Sequence, residues 1–156
     1  MEESVDAAEL QAFLTREFPQ VAEDFIVEAV GEECVIRLRV ADRHLRPGGT
    51  VSGPTMFALA DVGIYLAILH RLGPVALAVT TNCSMDFMRK PEAGRDLIAH
   101  VRLLKLGRVL AVGDVLIYSE GGTAPVARAS MTYSIPPREK PDPAKSDPAK
   151  PEAARA

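Results

Sequence analysis

One carboxylate, Asp61, interrupts an otherwise uncharged and mostly apolar run from Gly53 to Leu69. No other feature of the chain restricts its fold so strongly. Met56, Phe57, Leu59, Ile64, Leu66, Ile68 and Leu69 surround a helix placed at 54–71 on nearly every side, so protein has to enclose it. Ser52 is its candidate cap, Pro54 sits near the first turn where a missing N–H is harmless, and Gly73-Pro74 ends it. The run is short for a membrane span, and Pro54 and Asp61 break it. Asp61 lies two turns into the helix, too far along to cap it. Left unpaired and buried it would cost on the order of several kcal/mol, so it needs strong partners or protonation. A structural Asp bonded to strand hydroxyls meets that need. So does a catalytic one, because perturbed buried carboxylates gather at active sites.

The remaining segments say what encloses the helix. Residues 5–17 carry Leu10, Phe13 and Leu14 at helical spacing, with Ser4 as candidate cap. From Phe25 to Val40 the period becomes two. Phe25, Val27 and Ala29 alternate on one arm, Cys34, Ile36, Leu38 and Val40 on the other, with a turn at Gly31-Glu32-Glu33. A loop built on Pro47, Gly48, Gly49 and Gly53 fills 42–54. Four strands follow the helix at 76–88, 95–106, 108–119 and 123–135. In the first, Leu77, Val79, Thr81, Cys83, Met85 and Phe87 share one face, and Thr80, Asn82, Ser84 and Asp86 the other. The order is α+β: an antiparallel sheet curling around one apolar helix. Residues 1–137 form the domain. The Pro-, Ala- and charge-rich stretch 138–156 reads as a disordered tail.

Composition removes several function classes. Trp is absent and aromatics are 5%, which disfavours single-strand nucleic-acid binding by base stacking. A formal charge of −3 disfavours phosphate-backbone binding, so no nucleic-acid partner is expected. The first ten residues are acidic and unlike a secretion signal. Cys34 and Cys83 read as buried reduced thiols. Together these point to a cytoplasmic protein with no membrane partner. His44, His70 and His100 lack ligand-spaced neighbours, and no CxxC, HExxH or GxGxxG motif occurs. No metal site is therefore expected.

The helix start is the second chemical feature. Gly48, Gly49 and Gly53 would let a ligand approach its unpaired N–H groups, whose dipole can polarise a carbonyl. With Asp61 this gives the string S-G-P-x-x-x-x-L-A-D over 52–61. The stretch resembles the motif H-G-G-x-x-x-x-L-A-D of PaaI-like acyl-CoA thioesterases in the hot-dog superfamily. The segment VTTNCSMDFMRKP, with its Phe87-Met88-Arg89-Lys90-Pro91 step, is similar to the strand that follows in that family. The likeness runs over residues 5–135.

The resemblance implies a hot-dog fold and hydrolysis of an acyl-CoA thioester. Asp61 would be nucleophile or general base, Gly53 an oxyanion N–H, and Thr80 the hydroxyl that orients water. Arg46 stands where the family has the Asn that contacts the thioester carbonyl. Ser52 replaces the motif His, and Pro54 its second Gly. A carbonyl polarised by Gly53 would be attacked by Asp61 or by water that Asp61 activates. Arg89, Lys90 and Arg108 are candidates for the coenzyme A phosphates, with coenzyme A entering only as part of the substrate and no separate cofactor required. Hot-dog domains pair their sheets edge to edge, so a homodimer or dimer of dimers is implied, Asp61 and Thr80 meeting across or beside the interface. Two alternatives stay open: a non-catalytic acyl-CoA binding domain, and a hot-dog dehydratase, which the missing His disfavours. The acyl group is not fixed. Gly63 and Ala67 would either leave room for it or serve close helix–sheet packing.

Overall fold

The central helix of the computed structural model, α3 (Gly53–Leu72), packs against a six-stranded antiparallel sheet. Residues 4–74 and 78–137 are described. The tail at 138–156 and the start of the first post-helix strand, Leu77 included, lie outside them. Before α3 come α1 (Ala7–Glu17), α2 (Pro19–Ala22), β1 (Phe25–Ala29), β2 (Glu33–Leu38) and a single 3₁₀ turn at Asp42–His44. After it come β3 (Val79–Phe87), β4 (Leu97–Leu106), β5 (Leu110–Ser119) and β6 (Ala127–Ser134). The sheet order is β1-β2-β4-β5-β6-β3. This is the hot-dog fold expected from the sequence.

Local chemistry explains the ends of α3. Ser52 caps it, accepting from the Thr55 N–H, and Pro54 fills a first-turn position. Gly73, at φ 83°, supplies the left-handed residue that stops it. The cap of α1 is Asp6, whose side chain accepts from Glu9 N–H, rather than Ser4. Gly48 and Gly49 serve a turn between Leu45 and Val51, and the Gly49 N–H is spent on the Arg46 carbonyl. They are turn residues, not a ligand cradle.

The sheet side of α3 is buried through Leu59, Ala60, Ile64, Leu66 and Ile68. Two glycines bring helix and sheet together. A Cβ on Gly63 would stand 2.8 Å from Val101 Cγ2, and one on Gly113 would overlap Ile64 Cδ1. Gly63 therefore serves close packing, and it leaves no space for an acyl chain. One sheet covers only one side of a helix, so α3 is not enclosed all round within a single chain. Phe57 remains 39% exposed, and Asp61, Val62 and Tyr65 follow it along the half-covered side. With 20 residues α3 is long and apolar enough to cross a bilayer by length and composition alone. Its packing against five strands, rather than shortness, marks it as a core helix.

β3 is an edge strand, and its strict alternation fails. The pairing with β6 shifts between Thr80 and Asn82, leaving Thr81 as the extra residue. Thr80, Cys83 and Met85 are the half-buried positions. The bulge thus carries Thr80 to the face it would otherwise have left. The bulge between Val27 and Ala29 likewise leaves Ala29 exposed.

Replacing Gly113 with Val should destabilise the fold by about 1–3 kcal/mol, since both Ile64 and the Arg102 carbonyl stand in the way. The urea midpoint measures this; an unchanged midpoint would mean that helix and sheet are not in close contact there.

Candidate active site

The Asp61 carboxylate is held by two hydroxyls from neighbouring strands. Thr80 Oγ1 donates to Oδ1 at 2.5 Å. Tyr133 OH also donates to Oδ1 at 2.5 Å, and lies 2.8 Å from the Asp61 backbone carbonyl. Thr80 and Tyr133 face each other directly across the β3–β6 pairing, so the sheet sets their spacing. Oδ2 accepts no hydrogen bond from any described residue. Among the described residues the carboxylate is thus fixed through one oxygen only.

Tyr133 is the site residue that the sequence reading missed. Ala127, Ala129, Met131, Tyr133 and Ile135 alternate inward along β6 and beyond its end. A phenol at an inward position needs a polar partner, and that was the available signal. Burial first, and then the hydrogen bond to Asp61, push the Tyr133 phenol well above its ordinary value. It stays protonated and remains a donor. Burial, and then the negative charge of Asp61, also raise the half-buried Cys83 thiol. It is therefore a poor competing nucleophile near neutral pH.

The helix start lies elsewhere. Gly53 packs against the Phe87 ring, and a Cβ there would come within 3.3 Å of it. Thr55 N–H is taken by the Ser52 side chain, Met56 N–H by the Ser52 carbonyl, and Pro54 has none. Gly53 therefore holds the open N–H of the first turn among the described residues. A concavity of about 420 Å³ brings Arg46, Gly53, Arg89 and Lys90 together with Phe87 and Met88. Arg89 Nη1 donates to the Pro125 carbonyl at 2.8 Å, and the Arg46 side chain is exposed. Arg108 is not part of this cluster. It sits in the β4–β5 turn, at the end of the sheet marked by Val79, Ser134 and Leu110, whereas Phe87 pairs with Ala127 at the other.

The same geometry separates Gly53 from Asp61. Eight helical positions amount to about 12 Å along the axis, while an attacking oxygen must approach a carbonyl to roughly 3–3.5 Å. The two groups of one chain cannot serve the same carbonyl. Thr80 and Asp61 meet within one chain, not across two.

Each histidine has its own separate partner among the described residues. His44 Nδ1 accepts from Ala41 N–H while Nε2 faces Asp24, His70 Nδ1 lies 2.6 Å from the Val5 carbonyl, and His100 pairs with Glu33.

Residues 48–126 match the family model of the thioesterase superfamily, just over half of the 156 residues. The chain belongs to the thioesterase superfamily. A solved structure from Silicibacter sp. TM1040, described as a candidate thioesterase, aligns with a TM-score of 0.82. It is 62% identical and covers 88% of this chain and 96% of its own. A variant of the phenylacetic acid degradation protein PaaI from Thermus thermophilus aligns at a TM-score of 0.64. It is 32% identical and covers 74% of this chain and 97% of its own. A Pseudomonas aeruginosa protein named as a candidate esterase is 33% identical over 104 residues, 67% of this chain and 76% of the relative. The likeness to PaaI-like hot-dog thioesterases read from residues 52–61 holds, and these relatives support a hydrolase of the thioesterase type. Asp61, Gly53 and Thr80 fall within the matched segment of this superfamily member; Tyr133, α1 and α2 fall outside it.

Changing Tyr133 to Phe removes the donor to a buried carboxylate and should destabilise the protein by about 1–3 kcal/mol. Thermal and urea unfolding measure the loss; full stability would show that Thr80 alone holds Asp61.

Proposed function

We propose that the chain hydrolyses acyl-CoA thioesters, with the free oxygen of Asp61 as the reacting group. The observation that carries this reading is the half-gripped carboxylate: Thr80 and Tyr133 hold Oδ1, and no described residue donates to Oδ2. Asp61 also lines a cavity on the half-covered side of α3, so that a substrate can reach this oxygen.

The working unit in this reading is a dimer. Gly53 sits by Phe87 at one end of β3, and Asp61 by Thr80 at the other. Among the described strands β3 has one unpaired edge, and it exposes Val79 and Phe87, with Met88 exposed just beyond it. Two copies joined antiparallel along that edge about a two-fold axis set Asp61 of each near Gly53 of the other. The thioester carbonyl then accepts from Gly53 N–H of one copy while Asp61 of the second acts. Either Oδ2 attacks, expelling the thiolate and leaving a mixed anhydride that water cleaves, or Asp61 takes a proton from the attacking water. Both routes yield free acid and CoA. Thr80 serves by holding the carboxylate rather than the water.

The nucleotide end of CoA carries several negative charges, which Arg46, Arg89 and Lys90 beside Gly53 are placed to meet. The antiparallel pairing also sends Arg108 of the second copy toward the same end.

Thiol release from an acyl-CoA panel tests the reading. Wild type should hydrolyse at least one member, and Asp61→Asn should lose at least a hundredfold in kcat while keeping its circular dichroism. Binding of acyl-CoAs without hydrolysis by wild type would make the chain a binding domain and Asp61 a structural residue.

A further inference from the structure

A cavity of about 300 Å³ opens beside Asp61 on the half-covered side of α3. One wall comes from α1 and α2 and the residue joining them: Phe13, Leu14, Phe18 and Val21. Val62 and Tyr65 of α3 also line it, the Tyr65 ring lying beside Phe13 with centroids 6.3 Å apart, and Asp61 and Tyr133 are its polar contributions from the reacting centre. Glu17 adds a carboxylate, half exposed and paired with Arg16. The lining is predominantly apolar with a few convergent polar groups, the composition of a small-molecule site. It is also a different place from the concavity of Arg46, Arg89 and Lys90. A molecule with a charged nucleotide, a reacting carbonyl and an apolar end finds chemically distinct surfaces for its two ends.

We propose that this cavity takes the acyl group, and that α1 and α2 set which acyl groups are accepted. The inference rests on the thioesterase reading of Asp61 and goes beyond it in naming the substrate class. At the roughly 30 Å³ that a water molecule occupies in the liquid, the volume corresponds to about ten non-hydrogen atoms. A neutral octanoyl chain, or one aromatic ring on a short linker, fills it; palmitoyl overfills it, and acetyl leaves it largely empty. A carboxylate at the far end of the acyl group would meet Glu17 and lose its hydration among Phe13, Phe18 and Val21. The walls on α1 and α2 lie outside residues 48–126. Acyl choice therefore sits on residues that the matched segment does not contain.

The test reads two quantities. In hydrolysis, kcat/KM should rise about fourfold per methylene from acetyl- toward octanoyl-CoA, level off near ten carbons, and stay low for glutaryl-CoA. Val21→Phe, which fills the cavity, should lower the octanoyl-to-acetyl ratio at least tenfold, and Phe18→Ala should move the optimum to longer chains. If hydrolysis is seen but both variants keep the wild-type length profile, the acyl group lies elsewhere and the inference is overturned while the thioesterase reading stands. If no thioester is cleaved, calorimetry with the thioethers S-octyl-CoA and S-ethyl-CoA still decides the matter. Tighter octyl binding that Val21→Phe abolishes supports the cavity; equal affinities overturn it.

Discussion

The structure depends on how an ionisable group is kept inside an apolar helix. Asp61 is tolerated because Thr80 and Tyr133 donate to one of its oxygens from two paired strands. Each of the three needs the others. Without the hydroxyls the carboxylate has no partners, and without Asp61 the buried phenol of Tyr133 loses its acceptor. The grip also ties α3 to β3 and β6, the end of the sheet where strand pairing is least shared. It asks for a bulge at Thr81, without which Thr80 would point away. No described residue donates to Oδ2, and the proposed reaction rests on that oxygen.

A second constraint follows from helix geometry. The open N–H of α3 is at Gly53 and the carboxylate at Asp61, about 12 Å apart along one axis. A single chain holds the two halves of the proposed centre without bringing them together. In the proposed dimer a second copy would complete it along the β3 edge that is unpaired among the described strands. The surface is divided accordingly, with arginine and lysine near the helix start and an apolar cavity beside Asp61.

Much of the fold was legible in the sequence because its signals are local. Ser52 as cap, Pro54 in the first turn and Gly73 at the stop fixed α3 almost to the residue, and period-two alternation located six strands. Asp61 stood out by charge alone. What stayed hidden depends on contacts between distant segments. The β3 bulge comes from pairing with β6, and no residue type announces it. Tyr133 looks like any inward aromatic until Asp61 arrives 72 positions away. Arg108 looked equivalent to Arg89 in sequence, yet strand register puts them at opposite ends of the sheet. Gly63 in sequence is compatible with space or with contact, and in the fold Val101 stands against it.

Subunit complementation tests the two-copy centre most directly. Gly53→Pro deletes the open N–H, and the extended Ser52 (φ −72°, ψ 152°) already has the backbone that a following proline requires. Asp61→Asn and Gly53→Pro should each be nearly inactive alone. Mixed and reassembled in equal amounts, random pairing makes about half the dimers hybrid, each with one intact centre, so thiol release should recover to about a quarter of wild type. Hybrid dimers that form yet recover nothing would place Gly53 and Asp61 of one chain in the same centre and contradict the account.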